Sequence, residues 1–263
     1  IGADVTTFQP GDAVIGFPGA GFGAHAEYIT MPADGMIVRK PENLTFEEAA
    51  AIPFGATTAY DFLINKGKLR AGERVLINGA SGSVGSACVQ IAKHFGAEVT
   101  GICSASNADL VRDIGADRVI DYNVEDFTKE GPQYDMVVDT VDTAPWDRAR
   151  HALVPNGRML LIAGSTSDMI LGWLKARLRG KRLIGGVASE SVDILRKVVD
   201  LAAARDFHPV IDRSFDFSQM IAAHTHVDTG HKKGNVVVTV NQISKSPRTA
   251  DEELRLGAAV HVG

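Results

Sequence analysis

Arg74-Val75-Leu76-Ile77-Asn78-Gly79-Ala80-Ser81-Gly82-Ser83-Val84-Gly85 decides the fold of this 263-residue chain. An apolar run of strand length leads straight into a glycine-rich turn, and the residues beyond it take up a helical period. Gly79, Gly82 and Gly85 recur at every third position. In a strand–turn–helix unit the first glycine permits the tight turn and the second opens backbone N–H groups to phosphate oxygens. The third lets the helix pack closely on the sheet. A helix that starts here also presents unpaired N–H groups and the positive end of its dipole. Ala80, Ser81, Gly82, Ser83, Val84 and Gly85 are therefore expected to cradle a pyrophosphate.

Working outward, Ala87, Cys88, Ile91, Ala92 and Phe95 fall on one helical face, and Gly96 stops that helix. A strand follows over Glu98–Ile102, then a helix-like segment over Asn107–Ile114 and a strand over Arg118–Asp121. Asp135–Thr140, Arg158–Ala163 and Arg182–Val187 add three more β-rich runs. Short apolar strands alternating with helices predict an α/β fold of the Rossmann type, a doubly wound parallel sheet covered on both faces.

The flanks read differently. Residues up to about Phe46 are rich in glycine, proline and β-formers, punctuated at Pro10-Gly11-Asp12, Pro18-Gly19 and Pro32. Between Thr45 and Leu63 the pattern turns helical: Thr45 suits a cap, Glu47 and Glu48 suit a first turn, and Pro53 interrupts. Strand-like runs return at Val210–Asp212 and Asn235–Val240. The expected division is a partial β domain over 1–54, the dinucleotide-binding unit over 55–205, a return to the β domain over 206–240 and an extension over 241–263.

Composition narrows the function classes. With 27 basic against 32 acidic residues, a net charge of −5 and no basic run, nucleic acid and anionic membranes are poor main partners. Two distant cysteines, Cys88 and Cys103, give neither a disulfide framework nor a thiolate zinc cluster, a usage that suits the cytoplasm. No apolar run reaches membrane-spanning length. The chain opens on Ile1 rather than Met, which leaves room for a targeting segment upstream.

Taken in order, Phe8-Gln9-Pro10-Gly11-Asp12-Ala13-Val14, Ala26-Glu27-Tyr28, Phe46-Glu47-Glu48-Ala49-Ala50 and Gly55-Ala56-Thr57-Thr58-Ala59-Tyr60 precede the glycine turn. Gly115 to Tyr122, Pro155-Asn156-Gly157-Arg158 and Gly230 to Val237 follow it. This series resembles the medium-chain dehydrogenase/reductase superfamily, and within it the zinc-free quinone oxidoreductase branch. By the resemblance the 1–54 and 206–240 segments belong to a GroES-like catalytic domain, entered part-way through, and the chain is expected to form a homodimer. The resemblance places Thr57 beside a nicotinamide carboxamide, Ala80–Gly85 at the pyrophosphate, Tyr122 near the adenosine, and Ala163, Gly164 and Ser165 along the nicotinamide pocket. It also brings Val141 to the cofactor. Relatives carry glycine after this strand's Asp-x-Val, whereas here Asp139-Thr140-Val141 is followed by Asp142. A side chain there either crowds the cofactor or accepts from a ribose hydroxyl.

An NAD-preferring site places Asp or Glu about 20 residues beyond the glycine turn, on the ribose 2′-hydroxyl. Here that position falls at Cys103-Ser104-Ala105-Ser106-Asn107, without an acid. Ser104, Ser106 and Asn107 donate to a 2′-phosphate instead, which favours NADPH over NADH. Arg112, one helical turn further on, is the nearest cation.

The position where zinc-dependent relatives keep a catalytic cysteine holds Phe54, and His224, His226 and His231 lack the spacing of a helical metal site. The expected chemistry is therefore metal-free hydride transfer from NADPH to a quinone or an α,β-unsaturated carbonyl, whose electron-withdrawing group stabilises the developing charge. No catalytic acid is assigned; Tyr60 and His151 are donors by chemistry alone. The alternatives are a non-catalytic NADPH-binding sensor and a zinc-type alcohol dehydrogenase relative. A short-chain dehydrogenase is disfavoured, since Tyr-x-x-x-Lys is absent and the glycine spacing differs.

Overall fold

The computed structural model describes residues 1–162 and 180–240. Ala163, Gly164 and Ser165, and the extension over 241–263, lie outside the described residues. Six strands form the central sheet: β3 (Arg74–Asn78), β4 (Glu98–Cys103), β5 (Arg118–Asp121), β6 (Tyr134–Asp139), β7 (Leu153–Leu161) and β8 (Arg182–Gly185). All pairs are parallel, in the order β5-β4-β3-β6-β7-β8. The order reverses between β3 and β6, and that is where an open α/β sheet leaves a crevice at its carboxyl ends.

Alternation along β3 explains why both faces need cover. Val75 and Ile77 point into one core with Leu63, Ile91 and Val198, while Leu76 points into the other with Ile102, Ile120, Val137 and Met159. The first face is covered by α3 (Ser83–His94) and α6 (Val192–Ala203). On α6 the buried residues Ile194, Leu195, Val198, Val199 and Ala202 follow the helical period and form a single stripe.

Entry into this unit is set by two short helices. α1 (Phe46–Ala51) starts with a capping box: Thr45 Oγ1 accepts from the Glu48 N–H at 3.1 Å, and the Glu48 carboxylate accepts from the Thr45 N–H at 2.8 Å. Pro53 ends that helix as expected, and α2 (Gly55–Tyr60) resumes before passing into a π-helical turn, Asp61–Lys66. Gly55 faces α3 so closely that a Cβ would lie 2.6 Å from Ser83 Oγ, which brings α2 against the start of α3.

Outside the main sheet, β1 (Val14–Gly16) pairs antiparallel with β2 (Ile37–Arg39). β9 (Ile211–Asp216) pairs parallel with β10 (Asn235–Thr239), and α7 (Met220–Asp228) connects them. No helix among the described residues is long and apolar enough to cross a membrane.

Candidate cofactor site

The three glycines of the turn do different work. Gly79 has φ +82°, and a Cβ there would sit 2.6 Å from both Thr140 Oγ1 and Val141 Cγ1. At Gly85 a Cβ would lie 2.0 Å from the Gly79 carbonyl oxygen, so the helix reaches its close approach only without a side chain. At Gly82 the nearest atom to a Cβ is 3.5 Å away, which leaves the approach to the helix end open. Gly82 caps α3 with no side-chain hydrogen bond, so no cap side chain competes with a ligand for the first-turn N–H groups. A cradle closed behind and open in front fits a dinucleotide pyrophosphate.

Distant segments hold this turn. The Gly234 N–H donates to the Ser81 carbonyl at 2.7 Å, and Asn107 Nδ2 donates to Ser81 Oγ at 3.0 Å. Ser83 Oγ donates to Asn235 Oδ1 at 2.6 Å. Beneath it, fully buried Asp139 accepts from Asn78 Nδ2 (3.0 Å), from the Val141 N–H (3.2 Å) and from the Ala144 N–H (3.0 Å). Those bonds fix the loop after β6, where Asp142 has φ +55°, a conformation that favours glycine.

A cavity of about 800 Å³ opens at the carboxyl ends of these strands. Of the expected residues, Ser81, Gly82, Ser104, Asn107, Tyr122 and Val141 line it together. Ala80 is buried under the turn, and Ser83, Val84 and Gly85 form the first turn of α3. Ser106 is outside the lining, with its hydroxyl 3.0 Å from that of Ser104. Asp142 is also outside it, although its neighbours Val141 and Thr143 are not. Thr57 is buried on α2, where its hydroxyl donates to the Pro53 carbonyl. Arg112 does not reach the cleft; it pairs with Asp109 at 2.8 Å, one turn back on α4 (Ala108–Asp113).

Cations missed in the sequence complete the lining, Lys129, Arg148 and Lys232, together with His231. Arg148, on the short helix α5 (Trp146–Ala149), is held by Asp126 at 3.2 Å. Lys232 Nζ donates to the Gly234 carbonyl at 2.7 Å, and burial lowers its pKa from 10.5 against the opposing pull of Asp212. The basic triplet His231-Lys232-Lys233 between two glycines was the available signal. Cys103 also faces the cleft, and burial, helped by the Asp121 carboxylate, raises its thiol to about 11.

A second, larger cavity of about 1260 Å³ lies beside α1 and is lined by Phe17, Phe22, Phe54 and Val237, among others. Metal ligands do not assemble there. Phe54 stands exposed, both cysteines are buried and free, and no group of three or more His, Cys, Asp or Glu is arranged to hold an ion among the described residues. His224 packs edge-on to His25 at 5.3 Å, while His226 Nε2 lies 2.6 Å from Asp212 Oδ2. The two helical histidines thus face different partners, as their spacing requires. Tyr60 is buried edge-on to Phe95, and His151 lies outside both cavity linings.

Comparison with known proteins agrees with this architecture. A family model described as zinc-binding dehydrogenase matches residues 114–238. The mitochondrial NAD(P)H oxidoreductase RTN4IP1 of Danio rerio is 32% identical over 93% of this chain and 70% of its own length. The 2-methylene-furan-3-one reductase of Solanum lycopersicum is 32% identical over 82% of this chain and 53% of its own. Among solved structures, a quinone oxidoreductase from Coxiella burnetii superposes with a TM-score of 0.78 at 26% identity, covering 92% of this chain and 76% of that one.

Proposed function

The chain belongs to the medium-chain dehydrogenase/reductase superfamily, in its quinone oxidoreductase/RTN4IP1-like family, and from that premise we propose an NADPH-dependent, zinc-independent reductase of quinones or α,β-unsaturated carbonyls. The observation that carries the reading is the 800 Å³ cleft itself. Its phosphate turn is open at Gly82, and its ribose end offers Ser104 and Asn107 where an NAD-preferring site needs a carboxylate. Lys232 and Lys129 add positive charge to the same lining.

Bound at this site, reduced nicotinamide supplies the hydride. The chain's share is placement. Ser83, Val84 and Gly85 offer their first-turn N–H groups to the pyrophosphate, and Tyr122 offers a flat, exposed ring to the adenosine. Thr57, Ala163, Gly164 and Ser165 are proposed to border the nicotinamide. The cavity beside Phe54 offers the acceptor a mainly apolar lining. No cluster of metal-ligating side chains stands among the described residues, so an acceptor whose own carbonyl stabilises charge suits the site. Two buried free thiols suit a reducing compartment such as the cytoplasm, and the family implies a homodimer.

Parallel fluorescence titrations with NADPH and NADH, followed by turnover with a simple quinone, test the reading. Tighter binding of NADPH and quinone-dependent NADPH oxidation without added metal are expected. Equal affinity for both nucleotides would remove the cofactor assignment, and binding without turnover of any quinone or enone would leave a sensor.

A further inference from the structure

The sheet has a second charged concavity at its opposite, amino end. It measures about 330 Å³ and is lined by Lys68, Arg70, Arg158 and Arg182 against only two carboxylates, Glu73 and Asp135. Both carboxylates are already engaged. Glu73 takes both Arg158 Nη atoms, at 3.0 and 2.5 Å, and the Arg70 N–H at 3.0 Å. Asp135 accepts from the Arg74 N–H at 2.9 Å. Arg158, buried to 5% side-chain exposure, also donates to the Lys68 carbonyl at 3.3 Å; its charge is met by Glu73, so the pair forms a bonded floor and the other cations of the lining are Lys68, Arg70 and Arg182. Lys68 is fixed at the rim in a left-handed conformation (φ +55°), and Arg182 opens β8 beside the Pro155–Gly157 turn.

We propose that this pocket is a binding site for the phosphate groups of a small metabolite, separate from the cofactor cleft, with Lys68 and Arg182 as its direct contacts. Excess positive charge on concave, low-dielectric walls focuses the local potential on an anion, and arginine forks match phosphate oxygens in pairs. The volume exceeds what a single halide fills and accommodates a diphosphate-sized group. Neither contact residue belongs to the glycine turn or lines the cofactor cleft, so the two sites do not overlap.

Isothermal titration of the full chain with inorganic pyrophosphate, with saturating NADPH present so that the glycine turn is already occupied, tests the site, using wild type and the Lys68→Ala/Arg182→Ala double variant. Binding to wild type and a loss of at least about tenfold in the double variant are expected, since each removes a charge-assisted contact. Both side chains are at the surface, so the melting temperature of the ligand-free double variant should stay within about 2 °C of wild type. No binding to wild type, or equal affinity in the two proteins, would overturn the assignment.

Discussion

Gly85 has no room for a methyl group, because a Cβ there would fall 2.0 Å from a backbone oxygen rather than from a movable side chain. Gly85→Ala should therefore cost about 3 kcal/mol, read as a lower urea midpoint, and weaken nucleotide binding as α3 shifts away from the turn. Asp142 is the opposite case. Its φ of +55° is strained for a β-carbon, and its side chain is absent from the cleft lining. Asp142→Gly should raise stability by up to about 1 kcal/mol and change NADPH affinity less than twofold; a larger affinity change would return this side chain to the cofactor. The glycine spacing and the missing acid after β4 were legible in the sequence; at 142 the resemblance marked a glycine position, but its expected contact with the cofactor is not met, since Asp142 lies outside the cleft lining. Arg112 was not legible, because Asp109 one turn earlier claims it. Lys232 was signalled only as part of a basic triplet between glycines, because nothing local links residue 232 to a turn at residue 81.

At the scale of elements, the capping box of α1 is worth testing because α1 and α2 lead directly to the cofactor. Thr45→Ala should destabilise by about 1 kcal/mol in thermal or chemical melts, with nucleotide affinity unchanged. β3 to β6 were readable because strands buried on both faces are short apolar runs. β7 was half-read. Its first residues contain Pro155-Asn156-Gly157, a turn by any local rule, with Asn156 at φ +63°, yet β6 pairs with both Leu153 and Arg158 around that irregularity. The π-helical turn after α2 was hidden because apolar spacing does not distinguish it from an α-helical continuation. β1 and β2, at three residues each, are too short to show a period.

For the molecule as a whole, acid sensitivity follows from carboxylates that the fold holds in charged form. In Asp61, Glu73, Asp117 and Asp212 burial raises the pKa but is outweighed by hydrogen bonds and partner cations, including Arg158 at Glu73 and Lys93 at Asp117. Their folded pKa values lie below the ordinary 3.8 for Asp and 4.5 for Glu. Such groups contribute stability that is complete above the ordinary values and is lost as pH falls through the lowered ones. Melting temperature should therefore be nearly flat from pH 7 to 5 and fall steeply below about pH 4.5, followed by circular dichroism. Saturating NADPH should raise it at neutral pH by mass action, and NADH should raise it less at equal concentration.

The bond from Ser83 Oγ to Asn235 spans 152 positions, and the Gly234 amide on the Ser81 carbonyl is just as long-range. A chain emerging from the ribosome makes the glycine turn well before its clasp. The turn, β3 and α3 have the local contacts to fold while synthesis continues, whereas the clasp waits for β10. Nascent chains arrested before residue 234 should thus acquire protease resistance in the central sheet before they acquire tight nucleotide retention, which makes cofactor loading a report on the arrival of the clasp.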